Sequence, residues 1–172
     1  MSPAGGRLDN WRDTRIPKTM TKLSIPIKYG LLITLVVVVW VVVARFLFPI
    51  DPKSSLNVLA PVIFNVAEVL AILFGIRAIQ RESGGELNFK EGTKAGLSIA
   101  FVYALSSCLF FFLLFVLVGS KLMASEPMAQ TRPMWQVALL AYAGLFFGAL
   151  IFGLIYSTII SFVLVRRRLL GH

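Results

Sequence analysis

The chain has 172 residues, of which 58% are hydrophobic and only 15% charged, and its mean hydropathy is +0.83. Soluble globular domains are about half apolar and a quarter charged, so this composition excludes an ordinary water-soluble domain and points to one compact unit dissolved in a bilayer. A formal net charge of +9 would suggest nucleic acid in a soluble protein. Here the basic residues crowd the ends of apolar segments and the N-terminal tail, which fits anionic lipid headgroups, and no nucleic-acid partner is expected.

A hydrocarbon core about 30 Å thick needs about 20 residues of helix. Four segments meet that length, which predicts an all-α integral membrane four-helix bundle occupying residues 27–168. Residues 1–26 read as a basic tail, flexible by its Gly, Pro and charge content, and residues 169–172 as a short C-terminal end. Arg12, Arg15, Lys18 and Lys22 of the tail, with Arg166, Arg167 and Arg168 after the last span, are the candidate headgroup contacts. Each contributes about 1 kcal/mol next to an anionic surface.

The first span, about 27–48, carries the valine run Val36–Val39, then Trp40 and Val41–Val43, and Pro49 and Pro52 stop it. A cleaved signal peptide is the competing interpretation, through Val42-Val43-Ala44, but the long preceding tail and the apolar Phe46, Leu47 and Phe48 argue against it. The second span, about 56–79, has Ser54 or Ser55 as its N-cap and ends at Arg81-Glu82-Ser83-Gly84-Gly85. The third, about 89–118, starts where Asn88 can cap and Glu91 can reach back in a capping box. The fourth, about 135–165, would be roughly 46 Å long as a helix. It must therefore tilt, bend near Gly148 or Gly153, or project beyond the hydrocarbon.

Thirteen of the 17 basic residues fall in the tail, the middle loop and the C-terminus, leaving Arg45, Lys53, Lys121 and Arg132 on the other side. The positive-inside rule then places both termini in the cytoplasm.

Between membrane helices the drive is close approach through small residues rather than burial from water. The third span offers Gly92, Gly96, Ala100, Ala104 and Cys108 at successive fourth positions. The fourth offers Gly144 and Gly148, and separately Ala149, Gly153, Ser157 and Ser161; the second offers Ala67, Ala71 and Gly75. The first span is bulky and β-branched almost throughout, which predicts a place at the periphery. Self-association or another membrane protein is the expected partner, because so many small-residue stripes exceed what one bundle can readily cover.

Glu68 stands near the middle of the second span, the one acidic residue deep inside an apolar segment. An ionised group there costs several kcal/mol, so the carboxyl is expected to face the bundle, neutral and hydrogen-bonded. Pro61, Asn65, Glu68, Ile72 and Gly75 form one stripe. At matching depth lie Tyr103 and Ser107 on the third span and Tyr156 and Ser157 on the fourth. A mid-membrane cluster of Glu68, Asn65, Tyr103, Ser107, Tyr156 and Ser157 follows, acting either as interhelical glue or as the coupling site of a small proton- or cation-driven transporter.

Other chemistry is thinly represented. Met123, Met128 and Met134 could suggest soft-metal capture, but their spacing and the lack of a nearby histidine favour an interfacial loop. The single cysteine excludes a disulfide or a CxxC pair within one chain, and His172 is the sole histidine. Gly92-Thr93-Lys94 lacks the order of a phosphate loop. No base, nucleophile or metal constellation is visible, so neither an enzyme nor a cofactor is expected.

Arg77-x-x-Gln80-Arg81, followed by the run Gly84 to Gly96, resembles a bacterial four-span family catalogued as domain of unknown function 4199. Lys28-Tyr29-Gly30 and Gly153-Leu154-Ile155-Tyr156-Ser157 look like the same family. The resemblance implies a bacterial inner-membrane protein and carries no catalytic residues with it.

Overall fold

In a bilayer every backbone amide must find its partner within its own segment, so long runs of Val, Leu, Ile and Phe become helices rather than open strands. The computed structural model describes residues 18–44, 56–118 and 133–170, with side chains for 24–44, 59–117 and 133–166. It contains α1 (Lys18–Val42), α2 (Leu56–Glu82), α3 (Phe89–Val118) and α4 (Met134–Leu170), and no strand among the described residues. All four are long and apolar enough to cross a membrane. The protein is an all-α, four-helix, multi-pass membrane protein.

The α2–α3 hairpin shows how local sequence sets the turn. Gly84 and Gly85 adopt φ of 73° and 89°, a left-handed geometry that favours glycine. Gly84 N–H donates to the Arg81 carbonyl at 3.2 Å and Gly85 N–H to the Gln80 carbonyl at 2.9 Å, which together make a Schellman ending for α2. Buried Leu87 then turns the chain inward. The Asn88 amide donates to Glu91 Oε2 at 3.4 Å, half of the expected capping box.

Helix ends reach past the apolar limits. Residues 18–26, expected in the tail, include the first turns of α1, which continues through Pro26 before the membrane-length stretch Ser24–Val42 is complete. α2 and α4 also run on into their basic ends, to Glu82 and Leu170. Hydropathy marks where lipid begins and ends, whereas the helix stops only where a glycine or another backbone signal intervenes. Pro49, Pro52, Ser54 and Ser55 lie outside the described residues, as do residues 1–17. α4 is one helix of 37 residues, continuous through Gly148 and Gly153, and at about 1.5 Å per residue it spans roughly 55 Å.

α2 and α3 form the central pair. α1 packs on α2 and α3 along one flank, and α4 on α3 and α2 along the other. The core lies between them, built from Ile33 and Val37 of α1, Ala71, Ile72 and Ile76 of α2, Ile99, Tyr103 and Ala104 of α3, and Ala149 of α4.

The first span does lie on a flank, but it is not loosely packed. Of its most apolar 18-residue window 33% is buried inside the protein, against 11% for α4. The reason is Gly30. A Cβ there would lie 2.7 Å from Val102 Cβ and 2.9 Å from the Ile99 carbonyl oxygen, so a glycine brings α1 against the α3 backbone. One turn on, Thr34 and Ser106 hydroxyls lie 2.5 Å apart. Both pairs keep the same sequence offset, as two helices running in the same direction require.

Candidate functional site: the seam between α2, α3 and α4

The two small-residue stripes of α3 and α4 meet face to face. A Cβ on Gly92 would come within 2.5 Å of Ser161 Oγ, one on Gly96 within 2.3 Å of Ser157 Cβ, and one on Gly153 within 2.2 Å of Ala100 Cβ. Each step of four up α3 is a step of four down α4. Ala104 and Ala149, both buried, fall on the next rung, and beyond it the Tyr142 hydroxyl donates to the Phe111 carbonyl at 3.2 Å. Such a ladder needs residues without bulky side chains on both helices, because the backbones come nearly into contact.

The second helix completes the seam. Ile72 Cγ2 lies 3.0 Å from the position of a Gly96 Cβ, and Ile99 reaches into the notch left by Gly75. Ala71 is buried and Ala67 packs at the edge of the core. Gly144 and Gly148 behave differently. A Cβ on either meets nothing within 4 Å, so this pair packs against none of the described residues. The helix face that carries it points away from α3, because α4 offers its neighbour the Ala149–Ser161 stripe instead.

Glu68 projects into the seam and is only 4% exposed. Its Oε1 lies 3.2 Å from the position of a Gly153 Cβ, and Oε1 has no hydrogen-bond partner among the described residues. Tyr103 of α3 is its electrostatic neighbour, with Ser107 beyond it. Ser107 is fully buried, its hydroxyl beside that of Tyr103.

Six residues predicted as one polar cluster therefore fall into two groups and an outlier. Glu68, Tyr103 and Ser107 gather on the α2–α3 side. Asn65 joins Tyr156, whose hydroxyl donates to Asn65 Oδ1 at 2.7 Å, while Asn65 Nδ2 donates back to the Pro61 carbonyl at 2.7 Å. Tyr156 reaches the shallower Asn65 because side chains on a helix lean toward its N-terminus, and Phe152 stacks on its ring at 6.0 Å. Ser157 stands apart, its hydroxyl donating to the Leu154 carbonyl at 3.1 Å. Glu68 therefore makes no hydrogen bond to Asn65 or Tyr156.

Gly30, Thr34 and Ser106 were missed by the sequence reading. The signal was present as a small residue and a hydroxyl four apart in an otherwise bulky helix. Of the headgroup candidates, Arg166 is exposed. Lys18 and Lys22 lie in the first turns of α1, and Arg167 and Arg168 in the last turns of α4. Arg12 and Arg15 fall outside the described residues.

A family described as "Protein of unknown function (DUF4199)" matches residues 28–126, more than half of the chain. The chain belongs to this family. The match begins at Lys28 of α1, takes in the hairpin and Glu68, and ends before α4, so Gly153 and Tyr156 lie outside it. No curated protein and no solved structure matches the chain significantly. Family membership brings an unknown function and no assigned residue, so the seam has to be interpreted from its own chemistry.

Proposed function

We propose that this protein is a non-enzymatic assembly or accessory component of the membrane, associating through α4 with a second copy or with another membrane protein. One observation carries the reading: Gly144 and Gly148 stand one turn apart with open space in front of them. Glycine in a helix interior costs about 0.5–1 kcal/mol relative to alanine. Gly92, Gly96 and Gly153 offset that cost by letting two helices touch, whereas this pair has no such contact among the described residues. Phe147 and Ile151, exposed at 61% and 58%, flank it and suit a helix packed across the notch.

Placement supports an inner-membrane setting with both termini cytoplasmic. The start of α1, the α2–α3 hairpin and the first turns of α3 share one end of the bundle, where Pro26, Ile79, Ser83, Glu91 and Lys94 line a common groove. Arg77, Arg81, Lys90 and Lys94 belong to this end, and anionic lipid on the cytoplasmic leaflet favours it. A transporter built on Glu68 is the less favoured reading, since the carboxyl is packed against Gly153 rather than facing an open cavity.

Cysteine crosslinking in native membranes tests the α4 face. With Cys108 replaced by serine, Gly144→Cys is expected to yield a disulfide-linked adduct, either a dimer or a complex with a second protein, and Leu105→Cys, exposed on α3, none. A protein that stays uncrosslinked, runs as a monomer in mild detergent and brings down no partner would end this reading.

A further inference from the structure

Buried polar atoms in native proteins nearly always have partners, so an unsatisfied one calls for a specific explanation. Among the described residues the buried side-chain oxygens without one include Thr93 Oγ1, Ser161 Oγ and Glu68 Oε1, and the buried Ser107 hydroxyl has only Tyr103 beside it. They are not scattered. Ser161 stands opposite Gly92, beside Thr93; Glu68 Oε1 stands at the Ala100–Gly153 rung; and Ser107 follows beyond Tyr103. From Thr93 to Ser107 is about 21 Å along α3 at 1.5 Å per residue, against a hydrocarbon core of about 30 Å. These groups thus lie at successive levels of one seam, with the carboxyl near its centre.

We propose that Glu68 is a reversible proton-binding site at the centre of this seam, exchanging its proton with the hairpin end of the bundle through the seam, past Ser157 and Ser161. The step is a simple transfer: the carboxyl O–H breaks, its proton passes to water admitted to the seam, and a carboxylate remains. A hydroxyl can receive one proton and pass on another, which no other uncharged side chain in the seam can do except Tyr103. Carboxyls retained without a partner in the middle of a bilayer mark ion or proton pathways, whereas a carboxyl kept for stability would be hydrogen-bonded.

The surroundings bear on what ionisation does. Tyr103 faces Glu68 from α3; Tyr156, from α4, is engaged with Asn65. α1 contributes no titratable group here. The nearest basic residue on the same helix is Arg77, more than two turns away, and Lys94 and Arg166 stand nearer the helix ends. A carboxylate at this place has no cation to pair with, so proton release must loosen the Ala100–Gly153 contact and admit water. Proton occupancy and closure of the seam are then one event. The proposal does not depend on what packs against Gly144.

Infrared spectroscopy of the full chain in lipid vesicles tests it. The expected result is a carboxylic C=O band that is present in the wild type and missing in Glu68→Gln. The band shifts on transfer to D₂O and fades as the pH is raised while circular dichroism still reports the folded helices. If Glu68→Gln does not fold, Glu68→Asp serves instead and should displace the same band. Ser157→Ala combined with Ser161→Ala should slow the deuterium shift at least tenfold without removing the band. A band that neither exchanges nor titrates, or no band assignable to Glu68, overturns the site; exchange as fast in the double serine variant overturns the route.

Discussion

Replacing one glycine by alanine at two places on the same bundle separates the packing role of the α3–α4 ladder from the intrinsic cost of glycine. At Gly96 the new methyl would stand 2.3 Å from Ser157 Cβ and 3.2 Å from Ser157 Cα. Carbon atoms make their best contact at about 3.5–4.0 Å, so the helices must part by more than about 1 Å at that rung. Because one obstructing atom is backbone, no rotamer change relieves the clash. At Gly144 the same methyl meets nothing within 4 Å. Alanine gains about 0.5–1 kcal/mol of helix propensity at both sites, and that gain cancels in the comparison. What remains is the overpacking term at Gly96, about 1–3 kcal/mol. Reversible unfolding in mixed detergent micelles, followed by circular dichroism, is the assay. For the monomer, Gly144→Ala should match or exceed the wild type, and Gly96→Ala should fall below Gly144→Ala by that amount. Equal stability of the two variants would refute the ladder as the contact that joins α3 to α4.

Thr34→Val and Ser106→Ala, taken singly and together, should give a coupling of about 0.6 kcal/mol and no more than about 1.7, the range for hydrogen bonds between membrane helices; additive losses would show that the 2.5 Å approach contributes nothing to joining α1 to α3. Glu68→Met, which keeps a straight side chain but removes the unpartnered Oε1, should raise stability in the same assay by about 1–3 kcal/mol, the desolvation cost of a buried polar group left unmatched. A loss of that size would mean that a partner holds the carboxyl after all.

Two kinds of sequence information fared differently. The four spans were legible because bilayer thickness and backbone hydrogen bonding leave helices of at least a minimum length as the solution, and runs of Val, Leu and Phe satisfy that condition unaided. The ladder was legible too, since Gly92, Gly96, Ala100 and Ala104 on one helix and Ala149, Gly153, Ser157 and Ser161 on the other share one period. Pairing was harder to see. A stripe of small residues says that something approaches closely, and does not say what. Gly144-xxx-Gly148 and Ala149-xxx-Gly153 look alike in sequence, yet only the second faces α3. They sit about 100° apart around α4, and which face turns inward depends on where α2 and α3 lie. The same limit applied to the polar cluster: depth in the membrane could be counted along each helix, but the lean of Tyr156 toward the N-terminus carried its hydroxyl to Asn65 and away from Glu68. The packing of α1 was misjudged because bulk was averaged over the whole helix, when a single turn holding Gly30 and Thr34 sets its contact.

The position of Glu68 follows from this economy of contacts. In lipid, packing apolar side chains together gains little over leaving them among acyl chains, so the bundle is held where backbones come close and dispersion contacts are dense. That condition requires small residues, and small residues offer a carboxyl nothing to bond. Gly153 and Ala100 bring α3 and α4 together at the level of Glu68, and by doing so they surround Oε1 with carbon. The helix most concerned is also the one least covered by the rest of the protein, with 11% of its most apolar 18-residue window buried. α4 is therefore held chiefly by one stripe on one face, and a change in the charge of Glu68 acts on the contact that keeps it in place.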